Sequence, residues 1–325
     1  MIRNLKTIGI NILVFIGFLI VLEFAVRFLF PFVHSQAIDK ELFIENAYGI
    51  SSGLRPDASG KAFGKEVNID AFGFRVDAKA YKKGDKTWLL LGDSVTFGVG
   101  VKDDETFASI LDDHISYANI INPSVPGYTC EDYRNVLNGL LEENQFDIDQ
   151  VILCYCLNDV YAKKSSDLQN QREGWLKSTA SFMRSNSMLY NWLKGLVANR
   201  PKAYYEYDAS FYAEGNEDYE KALEILADCN ELCNESGIGF SVMPLPYSHQ
   251  YQLDSDIYGV QDKIIADLES INVHCLDHPG EAIQSDFPRH PKKAFLFGDG
   301  IHFSIGGHIA VANHLIKELS ISSLE

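Results

Sequence analysis

The sequence predicts an α/β fold: a three-layer α/β/α domain on a five-stranded, flavodoxin-like parallel sheet, preceded by one transmembrane helix. From residue 86 onward, short apolar runs alternate with longer helical stretches, which is typical of a parallel sheet wrapped by helices. Residues 8–30 are almost all apolar. The 325-residue chain is 46% hydrophobic and 22% charged, as expected of a globular protein with a sizeable core.

The amino-terminal apolar run predicts a membrane anchor over residues 1–33. As a helix it would be roughly 34 Å long, enough to cross a hydrocarbon layer of ~30 Å. Arg3 and Lys6 precede it. They favour a cytoplasmic amino terminus, with the rest of the chain outside in the periplasm or the extracellular space. Glu23 and Arg27 lie one helical turn apart, in the order that suits an ion pair.

A cleaved signal peptide is the alternative to an anchor. Residues 35–37, Ser-Gln-Ala, fit a small-residue cleavage site. The apolar run is longer than the ~7–15 residues of a typical signal sequence, which favours the uncleaved anchor.

Charge and cysteine content restrict the function classes. The net charge is −17, and a surface this acidic repels phosphate backbones, so nucleic acid is not expected as a partner. The six cysteines could form a disulfide framework in an exported domain. Cys154 and Cys156 share one face of a predicted strand, and Cys229 and Cys233 share one face of a predicted helix. Most of the six are therefore expected to be buried thiols, with one bridge left open.

The region between the anchor and the sheet, residues 34–85, is interpreted as a linker and preface that packs on the main domain. Short strands and turns are expected there at 54–57 and 68–75. The main domain then covers 86–325. Within it, residues 161–216 form the longest connection and are rich in aromatic side chains. Connections this long are usually functional or mobile, so this insertion is either a lid or substrate wall, or a small helical unit with its own core.

Five strands and five helices are predicted to alternate in the main domain. The strands are expected at 88–91, 118–122, 151–157, 239–244 and 272–276. The helices are expected at 106–115, 131–144, 219–236, 257–270 and 305–319. Thr129 with Asp132 has the form of a capping box, and Ser304 is a natural N-cap for the last helix.

A serine stands where the first predicted strand ends. The apolar run 88–91 stops at Gly92-Asp93-Ser94, and a helical pattern follows. Open α/β sheets hold their ligand sites at the carboxyl edge, where this turn would place the Ser94 hydroxyl. The hydroxyl becomes a nucleophile only with a base nearby. Taken alone, Gly-Asp-Ser is more often simply a turn.

A candidate base and a group to orient it occur together near the end of the chain. Asp299 and His302 lie three residues apart, just before the last predicted helix. At this spacing the carboxylate can hydrogen-bond one imidazole nitrogen, fix the tautomer and leave the other nitrogen for Ser94. Asp-x-x-His is common by itself, and its place opposite Gly-Asp-Ser makes it a catalytic candidate.

Two further strand ends offer donors for a developing oxyanion. Gly127 follows the second predicted strand, where a glycine lets a backbone N–H approach a ligand closely. Asn158 follows the third, and its side-chain amide can donate into the same space. Read singly, Gly127 is a turn glycine and Asn158 a cap residue. Together with Ser94 and His302, they fall at the carboxyl ends of predicted parallel strands.

These residues resemble the four sequence blocks of the SGNH (GDSL-type) hydrolases over about residues 86–320. The matching positions are Gly92-Asp93-Ser94 with Thr96 and Gly98, then Gly127 within Val125-Pro126-Gly127-Tyr128, then Asn158-Asp159, and finally Asp299-Gly300-Ile301-His302. One position departs from the pattern. Cys156 stands where the third block usually carries glycine, which could narrow the space beside the oxyanion hole.

The resemblance implies a serine esterase that needs no cofactor. Ser94 would be the nucleophile, His302 the base and Asp299 its partner. The Ser94 and Gly127 amides and the Asn158 side chain would form the oxyanion hole. The anchor and preface are similar to membrane-tethered bacterial members linked to surface polysaccharides. The expected substrate is therefore a short acyl ester on a cell-envelope or extracellular carbohydrate, with lipid esters second.

Two alternative functions remain open. An O-acyltransferase in polysaccharide modification would form the same acyl intermediate and pass the group to a sugar hydroxyl. A catalytically silent glycan-binding or scaffold domain is the alternative outside enzymes.

Two other site types fit the sequence less well. The Gly-x-Ser-x-Gly elbow of α/β-hydrolases would need glycine where Thr96 stands. A metal site could be built on residues 274–278, His-Cys-Leu-Asp-His. That run is better interpreted as the fifth strand and its exit, and no second ligand cluster accompanies it, so no metal is expected.

Overall fold

The structure is a computed structural model that describes residues 2–75, 86–115, 117–143, 145–160, 175–253 and 255–322. The chain begins with one long helix, α1 (Ile2–Leu29). Its stretch Lys6–Leu29 has a mean hydropathy of 2.5, and only 6% of its most apolar window is buried. By length and composition this helix could cross a membrane, and a signal sequence would meet the same criteria.

Two antiparallel hairpins follow in the predicted preface. β1 (Phe43–Tyr48) pairs with β2 (Ser51–Leu54). β3 (Ser59–Ala62) pairs with β4 (Lys65–Asn68). Both hairpins are short, so they depend on packing against the rest of the protein.

A parallel sheet forms the centre of the main domain. Its strands are β5 (Lys86–Gly92), β6 (Ala118–Ile121), β7 (Ile148–Tyr155) and β8 (Gly239–Pro244), in the spatial order β6-β5-β7-β8. All three pairings are parallel. Six of the seven β5 residues are buried, as expected for a strand covered on both faces. The predicted α/β class and the flavodoxin-like order of these strands are confirmed.

The prediction of a fifth strand at 272–276 is wrong. This segment meets the sheet through a single parallel bridge between Val242 and Cys275. The Val242 amide donates to the His274 carbonyl at 3.0 Å, and the Leu276 amide donates to the Val242 carbonyl at 2.9 Å. Asn272 is left-handed, with φ of +61°, so the chain becomes extended only beyond it. The sheet therefore has four strands.

Ten further helices follow α1 in the described residues. They are α2 (Ser94–Phe97), α3 (Phe107–His114), α4 (Cys130–Glu143), α5 (Trp175–Asn186), α6 (Met188–Val197), α7 (Arg200–Ala209), α8 (Glu217–Glu235), α9 (Gly259–Ser270), α10 (Gly280–Asp286) and α11 (Ile305–Ser322). α3 packs on α11, whereas α4 packs on α8, which also contacts α9. The five helices predicted for the main domain correspond to α3, α4, α8, α9 and α11.

The part of the predicted insertion that the structure describes is helical. It contains α5, α6, α7 and the start of the loop before α8, whereas residues 161–174 lie outside the described residues. A Cβ atom added to Gly195 of α6 would lie 2.5 Å from the Phe297 ring. The insertion therefore packs directly against the loop that carries Asp299.

Local details of the sequence interpretation are also confirmed. The Asp132 carboxylate accepts a hydrogen bond from the Thr129 amide at 2.9 Å, and the Ser304 hydroxyl accepts one from the Gly307 amide at 3.3 Å. Both helix starts are thus capped. All six cysteines are free and buried, as the interpretation of core thiols predicted.

The preface contacts the main domain through several side chains, including Ser51 and Arg75. The Ser51 hydroxyl donates to Asp132 of α4 at 2.6 Å. Farther along, Arg75 is buried, with an ion pair to Asp103 at 2.9 Å. Its guanidinium also donates to the carbonyl of Phe97, to that of Gly98 at 2.6 Å and to that of Val101 at 2.8 Å. Arg75 therefore ties the end of the preface to the turn that follows Ser94.

Candidate active site

Ser94 lies at the carboxyl edge of the sheet, as the first residue of the short helix α2 that follows β5. The Asp93 carboxylate caps this helix by accepting a hydrogen bond from the Val95 amide at 2.8 Å. A Cβ atom on Gly92 would lie 2.0 Å from the Thr96 hydroxyl oxygen and 2.9 Å from the Cys154 carbonyl oxygen. Only glycine fits there, so Gly-Asp-Ser forms a tight strand-to-helix turn that presents the serine.

The structure brings Ser94, His302 and Asp299 into one hydrogen-bonded chain. Ser94 Oγ lies 2.8 Å from His302 Nε2, and His302 Nδ1 lies 2.8 Å from Asp299 Oδ1. Asp299 Oδ1 also accepts the amides of Ile301 and His302, each at 3.0 Å. Gly300 has a φ of +92°, which permits this compact loop. With the ring proton on Nδ1, Nε2 is free to accept the serine proton.

Burial and charge set the protonation of this pair. The His302 side chain is 13% exposed and that of Asp299 7%. Burial acts to raise the pKa of Asp299, but attraction to His302 and the hydrogen bonds to its carboxylate prevail and lower it to about 2. Burial acts to lower the pKa of His302, but Asp299, with a contribution from Asp93, raises it above the ordinary histidine value. Asp299 is therefore ionised at any pH at which His302 titrates.

Asp93 joins the serine to Asn158. The Asp93 side chain is fully buried, and its Oδ2 lies 3.1 Å from Ser94 Oγ and 3.2 Å from Asn158 Nδ2. The serine hydroxyl has one proton, so it donates either to His302 or to Asp93. The Asn158 amide has two N–H groups, which leaves one for another acceptor. Asp93 was part of the matched sequence block, but the sequence indicated no role for it.

Tyr247 supports the other end of the Asn158 amide. Its hydroxyl lies 3.0 Å from Asn158 Oδ1 and 2.8 Å from Asp208 Oδ2. Cys156 Sγ lies 3.8 Å from the same hydroxyl. The Cys156 side chain thus lies by the carbonyl side of the Asn158 amide. This fills space near Tyr247 and leaves the Nδ2 group facing Asp93 and Ser94.

Asp159 holds the turn that carries Asn158. It is fully buried, and its Oδ2 accepts hydrogen bonds from the Tyr133 hydroxyl at 2.6 Å and the Cys156 amide at 2.7 Å. Burial, together with the nearby Asp93 carboxylate, raises its pKa well above the ordinary aspartate value. Asp159 therefore has a structural role: it holds the backbone of the turn that carries Asn158.

Gly127 occupies the loop after β6, the strand next to β5. It is exposed and has a φ of +89°, a conformation that favours glycine. The Tyr128 amide donates to the Val125 carbonyl at 3.1 Å and closes the turn around it. Its position at the same edge of the sheet agrees with the expected placement, and its role as a donor stays a prediction.

Two side chains near the site were missed by the sequence interpretation. The ring centroids of Phe63 and His302 lie 5.3 Å apart in an edge-on contact. Phe63 stands in the β3–β4 turn with a φ of +50°. Tyr247 follows β8 at the same sheet edge as Ser94, and this position after a strand end is a signal that could have identified it. Nothing local in the sequence indicates that Phe63 reaches His302.

The side chains of residues 274–278, considered above as a possible metal site, do not converge on a common point. His278 lies 3.5 Å from Asp262 and packs against Tyr258, with ring centroids 4.3 Å apart. The backbone carbonyl of His274 accepts a hydrogen bond from the Val242 amide of β8. Within the ranges that the structure describes, no group of three or more histidine, cysteine or acidic side chains has the arrangement of a metal site.

Comparisons with known proteins find structural similarity alone. No family model matches the chain. No curated protein matches it in sequence. Among solved structures, the chain is 15% identical to LAE5, an alpha/beta hydrolase enzyme from the metagenome of Lake Arreo, with 74% of this chain and 97% of that chain covered and a TM-score of 0.44.

Two further solved structures give similar values. A member of the lipolytic protein G-D-S-L family from Veillonella parvula is 12% identical, with 72% and 98% of the two chains covered and a TM-score of 0.41. The acetylxylan esterase Axe2 from Geobacillus stearothermophilus, solved as a catalytic mutant, is 15% identical, with 74% and 96% covered and a TM-score of 0.45.

Proposed function

We propose that this protein is an SGNH-type serine esterase, with Ser94 as nucleophile, His302 as base and Asp299 as its partner. The observation that carries the proposal is the chain of two 2.8 Å hydrogen bonds from Ser94 through His302 to Asp299. A nucleophile held by a base that is itself oriented by a carboxylate is the arrangement that acyl transfer requires.

The chemistry follows from this geometry. Ser94 Oγ attacks the ester carbonyl carbon while its proton passes to His302 Nε2, and Asp299 stabilises the imidazolium. The resulting oxyanion is held by the Ser94 and Gly127 amides and the free N–H of the Asn158 side chain. His302 then protonates the leaving alcohol, which departs from an acyl-Ser94. Water attacks this acyl group with His302 again as base, and the serine is regenerated.

The proposal includes a cellular location for the protein and a class of substrate. Residues 1–33 anchor the protein in a membrane as a single pass with the amino terminus in the cytoplasm. The preface, 34–85, and the main domain, 86–325, then lie outside, in the periplasm or extracellular space. The substrate is a short acyl ester on a cell-envelope or extracellular carbohydrate. The apolar surface of α1 supports the anchor, and the resemblance of the anchor and preface to membrane-tethered members supports the carbohydrate.

Labelling by a fluorophosphonate probe tests the proposed function. The full chain in detergent micelles is expected to be labelled covalently, because His302 activates the Ser94 hydroxyl. Ser94→Ala should give no label. Ser304→Ala is the matched control, because it removes a hydroxyl two residues from His302 that serves as a helix cap, and it should label like the wild type. Failure of the wild-type chain both to label and to hydrolyse p-nitrophenyl acetate would contradict the esterase.

The pH profile of kcat/KM is expected to report His302. The base must be neutral, so activity should fall as the pH drops through the pKa of His302. Because Asp299 and Asp93 raise that pKa, the acid limb should lie above the ordinary histidine value. Asp299→Asn should move the limb to lower pH. A limb that is unmoved in this variant would contradict the assignment.

Tyr247→Phe is expected to lower kcat about 3- to 10-fold with little change in KM. The variant removes a hydroxyl that contacts Asn158 Oδ1, and one hydrogen bond contributes ~1 kcal/mol. Tyr247 is a positioning residue, so the loss should appear in the chemical step. Tyr251→Phe, whose hydroxyl donates to the Gly280 carbonyl at 3.1 Å, is the control and should leave kcat unchanged. Equal effects of the two variants would assign Tyr247 a merely structural role.

A further inference from the structure

An apolar stripe of α6 is exposed to solvent. Leu193, Leu196 and Val197 are 48%, 59% and 86% exposed. They lie three and four residues apart, so they share one face of the helix. Phe182, on the neighbouring helix α5, is 64% exposed. Exposed apolar side chains grouped in this way mark an interaction surface.

The carboxyl-terminal part of α1 holds α6 in place. Glu23 of α1 accepts hydrogen bonds from the Ser187 hydroxyl at 2.8 Å and from the Met188 and Leu189 amides at 2.8 and 3.0 Å. Glu23 therefore caps the start of α6 with a carboxylate. Farther along, the Phe30 ring stacks on the Trp192 ring at 5.0 Å. The first half of α6 thus runs beside the end of α1.

This arrangement fixes α6 at the level of the proposed membrane surface. Glu23 precedes the last residue of the apolar stretch, Leu29, by six residues, or about 9 Å of helix. The start of α6 therefore lies beside a part of α1 that is still within the apolar stretch, just before α1 leaves the lipid. The other face of α6 is covered, since Gly195 packs against the Phe297 ring.

The same segment is basic, although the chain as a whole is acidic. Residues 174–205 contain no aspartate or glutamate, in a chain with a net charge of −17. They contain five cationic residues, Lys177, Arg184, Lys194, Arg200 and Lys202. Apolar and aromatic side chains combined with lysine and arginine are typical of helices that lie in the interface of an anionic membrane.

We propose that the α5–α6 hairpin (Trp175–Val197) docks on the headgroup layer of the anionic membrane that α1 spans, with Leu193, Leu196 and Val197 in contact with lipid. The inference rests on the proposed anchor. A second contact fixes the orientation of the main domain, which a single helix would leave free to rotate. Since a Cβ on Gly298 would lie 2.9 Å from Gly195 Cα, the loop carrying Asp299 sits directly on this hairpin. The active site is therefore held close to the membrane surface.

Lipid quenching of a label at Val197 tests this contact. The full chain carrying Val197→Cys is labelled with an environment-sensitive fluorophore, since the native thiols are all buried. It is reconstituted into phosphatidylcholine vesicles with or without phosphatidylserine, and quenching by a headgroup-level nitroxide lipid is measured. Glu235→Cys, at the exposed end of α8, is the matched control. Quenching at 197 is expected to exceed that at 235 several-fold and to fall when phosphatidylserine is omitted.

The outcomes separate this proposal from the proposed function. Equal quenching at the two positions in chains that float with the vesicles would overturn docking and leave the anchor standing. A blue-shifted but unquenched label at 197 would show that a second copy or another part of the protein covers the stripe, which also overturns it. Failure to float would overturn both anchor and docking. Fluorophosphonate labelling of Ser94 in the same vesicles reports the esterase independently.

Discussion

Replacing Ser94 by alanine is expected to lower kcat/KM for p-nitrophenyl acetate by about 10⁴- to 10⁶-fold, because no other group forms the acyl intermediate. Ser94 Oγ is the atom that His302 Nε2 contacts at 2.8 Å. Activity above the uncatalysed rate should persist, since binding and the oxyanion donors remain. Steady-state hydrolysis by the full chain in detergent micelles measures the effect, with the same far-UV circular dichroism required of both proteins.

The Asp299→Asn variant provides the internal comparison for this loss. It keeps the shape of the loop, but it removes the charge that stabilises the imidazolium, and a fall of about 10⁴-fold is expected. The two losses should not add in the double variant, because the residues act as one unit. Retention of more than about a tenth of the activity in Ser94→Ala would refute the assignment of the nucleophile.

Replacing Arg75 by methionine is expected to destabilise the folded state by about 3–5 kcal/mol, the cost typical of removing one partner of a buried ion pair. The Arg75 side chain is 1% exposed and that of its partner Asp103 13%. The variant also leaves the carbonyls of Phe97, Gly98 and Val101 without this donor. Denaturant unfolding of the full chain in micelles, followed by tryptophan fluorescence, measures the free energy of unfolding.

A surface ion pair supplies the control for this variant. Lys86 lies 2.6 Å from Asp149, with side chains 60% and 39% exposed. Lys86→Met should leave the free energy of unfolding nearly unchanged, because water screens exposed charges. Since Arg75 bonds the turn after Ser94, Arg75→Met should also lower kcat, whereas Lys86→Met should not. Equal destabilisation by the two variants would show that Arg75 is not a structural link.

Several local features could be predicted from the sequence because their causes are local. The apolar run before Gly92 predicted a buried strand, and β5 occupies that place. The patterns that predicted α3, α4, α8, α9 and α11 have the helical period, and the capping residues Ser304 and Asp132 stand where the caps form. The segment at 272–276 misled the interpretation, because apolar composition does not show that pairing stops at one bridge.

In the candidate site, too, some features follow from the sequence and others only from the tertiary structure. The sequence by itself determined which residue types stand after the strands and before the last helix, and therefore which groups could react: Ser94 and Asn158 after strands, and Asp299 and His302 before α11. Only the tertiary structure decided that Ser94 and a histidine 208 positions away lie 2.8 Å apart, that Tyr247 supports Asn158, and that Phe63 packs on His302. Periodicity and capping act within a few residues, whereas these contacts depend on how the sheet, the hairpins and the insertion pack together.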